Sequence, residues 1–288
     1  MPMPKNVPII DTMLGIPRAD QKSAYDFLKP LYRDGESKDH FEFPVEYMFK
    51  EFPKVGEQAD YVAYTLALMD RFGIEKALTG VSSKDPNSLR AVREHPDRFI
   101  PEIMVDPNQG MDQVREMERL HREIGLRAVS AFPSGTHPQV PIGDKRYYPI
   151  FAKCVELGLP IFVCIGVPGP RVPMEPQHAM QLDEICWFFP ELKVVVRHGG
   201  EPWVDLIVKL LLKWENLYYS TSAFAPRYFP KAIVDFANKR GADKVLYAGY
   251  FPAGLTLERS FSELPNVPFE DHVWPKFLHE NARRVLGL

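Results

Sequence analysis

At 288 residues, 45% of them apolar and with a net charge of −3, the chain has the length for one large domain with a substantial core. The weak charge excludes a general nucleic-acid binder, and no stretch reaches the ~20 apolar residues that a membrane helix needs. Cys154, Cys164 and Cys186 form no close pair, which excludes a disulfide framework, and without an apolar leader in Met1–Pro8 the expected location is cytoplasmic.

Strand-like and helix-like stretches alternate along the chain. Val7–Ile10 is the first strand-like run, and a helix follows only at Ala59–Phe72. Lys76–Val81, Phe99–Val105, Leu126–Phe132, Leu159–Ile165, Leu192–Val196, Leu217–Ser220 and Lys244–Ala248 are the next seven runs. Between them the apolar spacing predicts helices at Ser88–Glu94, Met111–Ile124, Tyr148–Leu157, Pro176–Phe188, Trp203–Trp214 and Pro230–Arg240. A last helix is expected over Asp271–Val285. Eight alternations predict an α/β fold with a parallel sheet, closed into a (β/α)8 barrel at this length. No G-x-G-x-x-G follows the first run, which argues against a dinucleotide-binding sheet. The connection Leu14–Gln58 is unusually long. It carries Tyr25, Phe27, Tyr32, Phe41, Phe43, Tyr47, Phe49 and Phe52, with helix-like pieces at Gln21–Tyr32 and Val45–Glu51. Because it leaves from the carboxyl end of a strand, it is either a packed excursion or a lid over the barrel mouth.

Val194-Val-Val-Arg-His198-Gly-Gly-Glu-Pro-Trp203 carries the strongest chemical signal. A buried strand ends in a histidine, and Gly199 and Gly200 permit a sharp turn. Pro202 suits a first helical position. A histidine at the carboxyl end of a barrel strand sits where such folds keep their chemistry. An ordinary imidazole there suits general acid–base work or a hydrogen bond to a substrate carbonyl.

Four segments together resemble the amidohydrolase-related family: Ile9-Ile-Asp11-Thr12, Gly143-Asp-Lys-Arg-Tyr-Tyr-Pro-Ile150 leading into Phe151–Val163, His198-Gly-Gly200 and Asn281–Leu288. That family includes aminocarboxymuconate-semialdehyde and resorcylate decarboxylases and lactone hydrolases. The resemblance implies a distorted (β/α)8 barrel with a divalent metal at its mouth. It places the first-strand ligand pair on Met13 and Gly15, the fifth-strand ligand on Cys164 and the eighth-strand acid on Tyr250, and it keeps only His198. Since zinc needs three or four side-chain N, S or O ligands, no metal and no other cofactor are expected, although Asp11, Cys164 and His198 remain as an alternative donor set. The resemblance also makes a homodimer the expected assembly.

His198, Tyr250 and Asp11 are the catalytic candidates. A phenol at position 250 would polarise a carbonyl or plug the vacated metal space. Asp11 keeps the family's first-strand acid, as a catalytic or a supporting group. Cys164 is a nucleophile or inert filler. Arg127 and Glu102 either meet a substrate carboxylate or form an ion pair across the barrel. Arg171, in a stiff proline-rich loop, and Ser222 complete the substrate-binding set with Met13. The function expected is a metal-independent hydrolase or carbon–carbon lyase acting on a small carbonyl-containing acid or its thioester. The alternative is a retired barrel that binds a ligand or a partner.

Overall fold

The computed structural model describes residues 3, 4, 6–40, 43–49 and 52–288, the side chain of His40 excepted. Met1, Phe41 and Glu51, counted in the expectations above, lie outside the described residues. Eight strands form one parallel sheet in sequence order. They are β1 (Ile9–Asp11), β2 (Ile74–Gly80), β3 (Phe99–Val105), β4 (Ala128–Ala131), β5 (Ile161–Cys164), β6 (Val194–Arg197), β7 (Leu217–Ser220) and β8 (Val245–Leu246). The expected α/β barrel is present in this distorted form.

The sheet curls until its edges meet just past the ends of β1 and β8. There Thr12 N–H donates to Tyr247 O at 3.1 Å, Tyr250 N–H to Met13 O at 3.1 Å and Gly15 N–H to Phe251 O at 2.8 Å. Strand alternation then sorts the side chains. Ile9, Ala77, Phe99, Val129, Val163, Val196 and Val245 face the helix layer. Ile10, Leu78, Ile100, Ala128, Phe162, Val195 and Leu246 fill the barrel floor, sealed by Ala282, Val285 and Leu286 of the C-terminal helix Asn281–Leu286. Two residues further along each strand lies the next inward layer: Thr12, Gly80, Glu102, Ser130, Cys164, Arg197, Ser220 and Ala248. The interior changes there from hydrocarbon to polar.

Helices α1 (Tyr61–Phe72), α2 (Pro86–Glu94), α3 (Met111–Ile124), α4 (Tyr148–Leu157), α5 (Gln181–Phe188), α6 (Val204–Lys213) and α7 (Lys231–Phe236) return the chain between strands. Two of them start on a side-chain cap. Asp60 caps α1 by accepting from Val62 N–H and Ala63 N–H, and Asp85 caps α2 in the same way. A helix at Leu257–Glu263 was not anticipated. Pro202 is not a first helical position: it follows a cis peptide after Glu201, and α6 starts two residues later. Among the described residues no helix is long and apolar enough to cross a membrane.

The 14–58 connection folds as short pieces, a 3-10 segment Lys22–Leu31, a π turn Glu36–His40 and a 3-10 turn Glu46–Met48. It lies against the mouth at several loops. Arg18 pairs with Asp85 after β2 at 3.0 Å, and Phe27 meets Phe132 after β4 at 6.4 Å between ring centroids. After β5, Tyr47 OH donates to Gly169 O at 2.6 Å, and Arg171 pairs with Asp34 at 3.1 Å and Glu36 at 2.6 Å. Val45 packs where a Cβ on Gly169 would stand.

Candidate active site

The end of β6 departs from strand geometry in a way that places the histidine. Val194 and Val196 face outward and Val195 and Arg197 inward, so plain alternation would send His198 outward. Its backbone instead takes a φ of 64°, in the left-handed region. That turn brings its ring to Ser222, with Nδ1 3.3 Å from Oγ, and to Tyr250, with ring centroids 5.2 Å apart. Tyr250 has a φ of 78° and Ala223 one of 70°. Among the described residues these three are the only non-glycine residues with positive φ, and all follow β6, β7 or β8. Left-handed backbone costs an L-residue roughly 1–2 kcal/mol, and such strain concentrates at functional sites. Gly199 and Gly200, at φ 81° and 75°, complete the expected turn, and a Cβ on Gly199 would strike the Phe224 ring.

The electrostatics decide what these groups do. Burial, with the adjacent Arg197 charge, pushes the His198 imidazole down to about 3, so it is neutral at physiological pH. Ser222 Oγ accepts from His198 N–H at 3.1 Å. In the tautomer that carries the imidazole proton on Nε2, the hydroxyl's own proton goes to Nδ1. Burial also holds the Tyr250 phenol far above its ordinary range. Both groups are neutral hydrogen-bond donors at the mouth. This corrects the expectation of an imidazole titrating near its ordinary value.

Below them, Arg197 is bidentate to Glu102, with Nη1 to Oε1 at 2.9 Å and Nη2 to Oε2 at 2.7 Å. Nη2 also donates to Thr12 O at 2.7 Å, and the guanidinium lies 4.3 Å from the Phe162 ring centroid. Glu102 therefore faces inward as expected, but both of its oxygens are taken. Arg127 was the anticipated cation. It is exposed and precedes β4, at the opposite rim of the barrel, because that strand begins at Ala128 and not at Leu126. Arg197 was missed because β6 was ended one residue early. Its position two residues after the inward Val195 was the available signal.

Asp11 is also relocated. It shares the outward face with Ile9, and its Oδ1 accepts from Met13 N–H and Gly249 N–H, each at 2.9 Å. A Cβ on Gly249 would come within 2.5 Å of Asp11 Oδ2 and 3.2 Å of Tyr247 OH. The acid thus lies behind the barrel wall, tying together the segments that carry Met13 and Tyr250. It positions those segments and does not face the interior. Desolvation raises it to about 6, against the lowering effect of its two backbone donors and of Arg197.

Cys164 is on the inward layer and half-buried, and burial pushes its thiol up to about 12. It is a neutral thiol and not an activated nucleophile. Met13, just past the end of β1, is half-buried. Arg171 is engaged by Asp34 and Glu36, with its guanidinium 4.8 Å from the Tyr47 ring centroid. It fastens the 14–58 segment and does not join His198. The insertion adds its own wall to the site: Phe49 and Phe43 lie 6.2 and 6.4 Å from the Tyr250 ring, and Phe43 also meets Tyr25 at 5.6 Å.

The donor set does not match a metal centre. Among the described residues no three His, Cys, Asp or Glu side chains are placed to hold an ion. Asp11 points away, and the inward layer already carries the Arg197 cation.

Parallel strands with reactive groups at their carboxyl ends define a barrel enzyme. A family model described as amidohydrolase matches residues 55–288, and the chain belongs to that family of enzymes. The whole fold is similar to an uncharacterised TIM-barrel protein from Bordetella bronchiseptica, with 23% identity, a TM-score of 0.72 and 98% and 99% of the two chains covered. It is likewise similar to 5-carboxyvanillate decarboxylase from Sphingomonas paucimobilis, with 16% identity, a TM-score of 0.69 and coverage of 98% and 100%. A 2-keto-4-carboxy-3-hexenedioate hydratase from Sphingobium is 26% identical over 128 residues, which span 38% of each chain.

Proposed function

We propose that this chain is a metal-independent amidohydrolase-family enzyme, a hydrolase or carbon–carbon lyase acting on a small carbonyl-containing carboxylic acid or its thioester. The observation that carries the reading is the meeting of the His198 and Tyr250 rings, 5.2 Å apart between centroids, on the left-handed turns that follow β6 and β8, where each can present a neutral donor. Cleavage of a bond β to a carbonyl sends the bonding electron pair towards the carbonyl oxygen. Fixed donors aimed at that oxygen stabilise the developing enolate without a Lewis acid. The buried Glu102–Arg197 pair beneath supplies a rigid, charge-balanced base for both groups. The 14–58 segment serves as a cover whose aromatic side chains exclude water. The decarboxylase and the hydratase named above act, by their names, on small carboxylic acids, which supports the substrate class. A homodimer belongs to the same reading.

The test is a screen of β-keto acids and their thioesters against wild type, His198→Ala and Tyr250→Phe. Loss of one oxyanion donor typically costs ~10²–10³ in kcat, so each variant should fall by about 10²-fold or more. Because neither donor titrates near neutrality, kcat should show no inflection from His198 between pH 5 and 8. Turnover that survives both substitutions would sink the proposal. The second reading, a barrel that binds without turnover, draws on Met13 and Cys164 at the mouth. It predicts saturable ligand binding with no product from any substrate in the screen.

A further inference from the structure

We propose that substrate reaches the donors through a window at β3, between the loops following β2 and β4, and that Gly80 and Met104 set the size of substrate the enzyme accepts. The inference rests on the catalytic reading above only for the identity of the inner end. Strand parity places Met104 on the inward face with Ile100 and Glu102, yet Met104 is 49% exposed. Met104 is the next-to-last residue of β3, one layer above Glu102, and an inward side chain at that end of a strand keeps so much surface where nothing covers the mouth above it. Its neighbours agree. Gly80, in register with Glu102, is exposed, and a Cβ built on it meets nothing within 4 Å. Ser130, in register with Met104, is half-buried.

The 14–58 segment touches both flanks of this opening, with Arg18 on Asp85 after β2 and Phe27 on Phe132 after β4, and it closes the opposite side of the mouth. Phe43 and Phe49 cover Tyr250, a Cβ on Gly254 would come within 2.5 Å of the Phe49 ring, and the segment is fastened to the β5 loop by Arg171 and Tyr47. A molecule entering at β3 would pass Met104 and Ser130, cross above the Glu102–Arg197 pair and end at His198 and Tyr250. Arg197, the inward-layer cation, is already neutralised by Glu102. A charged non-reacting end therefore gains nothing by leaving water. The substrate class that fits is elongated: a carbonyl at the inner end, an apolar stretch beside Met104 and a polar or anionic end in the window.

Cys164 lies at the depth of the reacting end and reports on this route without turnover, so failure of the proposed chemistry leaves the test intact. Wild type, Met104→Trp, Gly80→Leu and Phe43→Ala are exposed to methyl methanethiosulfonate at pH 8.5, and peptide mass gives the rate at each cysteine. Cys164 is expected to react while Cys154 and Cys186, both fully buried, stay protected. Met104→Trp and Gly80→Leu should each slow Cys164 by tenfold or more, and Phe43→Ala should leave it within twofold. A misfolded variant identifies itself by labelling at Cys154 and Cys186, and the other blocking variant then decides. Cys164 labelling no faster than Cys154, or slowed by neither blocking variant, overturns the proposal. So does a tenfold acceleration in Phe43→Ala, which would place the route under the insertion.

Discussion

Glu102→Gln is expected to destabilise the protein by ~3–5 kcal/mol, the range for removing one member of a buried ion pair. Gln keeps the size of the side chain but leaves the Arg197 guanidinium uncompensated, with the two side chains only 3% and 8% exposed. Neither Thr12 O nor the Phe162 face can replace a carboxylate. The double variant Glu102→Leu with Arg197→Met should recover most of the loss, since it abolishes the desolvated charge instead of orphaning it. Arg127→Ala, at the exposed rim, should change stability by no more than ~0.5 kcal/mol. Urea unfolding of the four proteins checks this. A loss below about 1 kcal/mol in Glu102→Gln would mean that the interior is wet enough to solvate the arginine.

Asp11→Asn is expected to stabilise the protein in alkaline solution and to do little in acid. The acid's ordinary value of 3.8 is raised to about 6 in the folded chain, so folding favours its protonated form. Below 3.8 both states hold the proton and there is no penalty. As pH rises through 6 the folded state must carry a buried carboxylate, and the full cost, ~3 kcal/mol at 1.36 kcal/mol per pKa unit, is present above that. Asn keeps an oxygen for Met13 N–H and Gly249 N–H, and it adds an amide donor on the side of the Tyr247 hydroxyl, which has no partner among the described residues. Stability at pH 8, 6 and 4 is the measurement. An equal gain at pH 4, or a loss at pH 8, would contradict the assignment.

The fold was legible because seven of the eight strand runs have glycine, proline or a charge at one boundary or both, and because β3, β7, α3 and α4 carry their periodicity to their ends. The site was legible only in part. His198 was found from its place after a valine run, but its direction depends on a backbone angle that no side-chain pattern encodes. Arg197 and Arg127 exchanged roles through one-residue and two-residue errors in strand limits, and a single step reverses the face. Asp11 carried a family position, yet parity with Ile9 turns it away from the interior. The protonation states were beyond reach because they follow from burial, which is set by residues distant in sequence. Phe43 and Phe49 stood out only as aromatics in a long connection, and contact with Tyr250 gives them their meaning.

The stitching of Thr12 to Tyr247 and Met13 to Tyr250 has a bearing on how the chain is made. Until residue 250 has left the ribosome, β1 has β2 on one side and a bare row of backbone donors and acceptors on the other. Such an unpaired edge is a template for pairing with another chain. The nascent protein is therefore vulnerable to self-association until β8 and the turn after it have emerged, and their arrival converts the sheet's open margin into an internal seam.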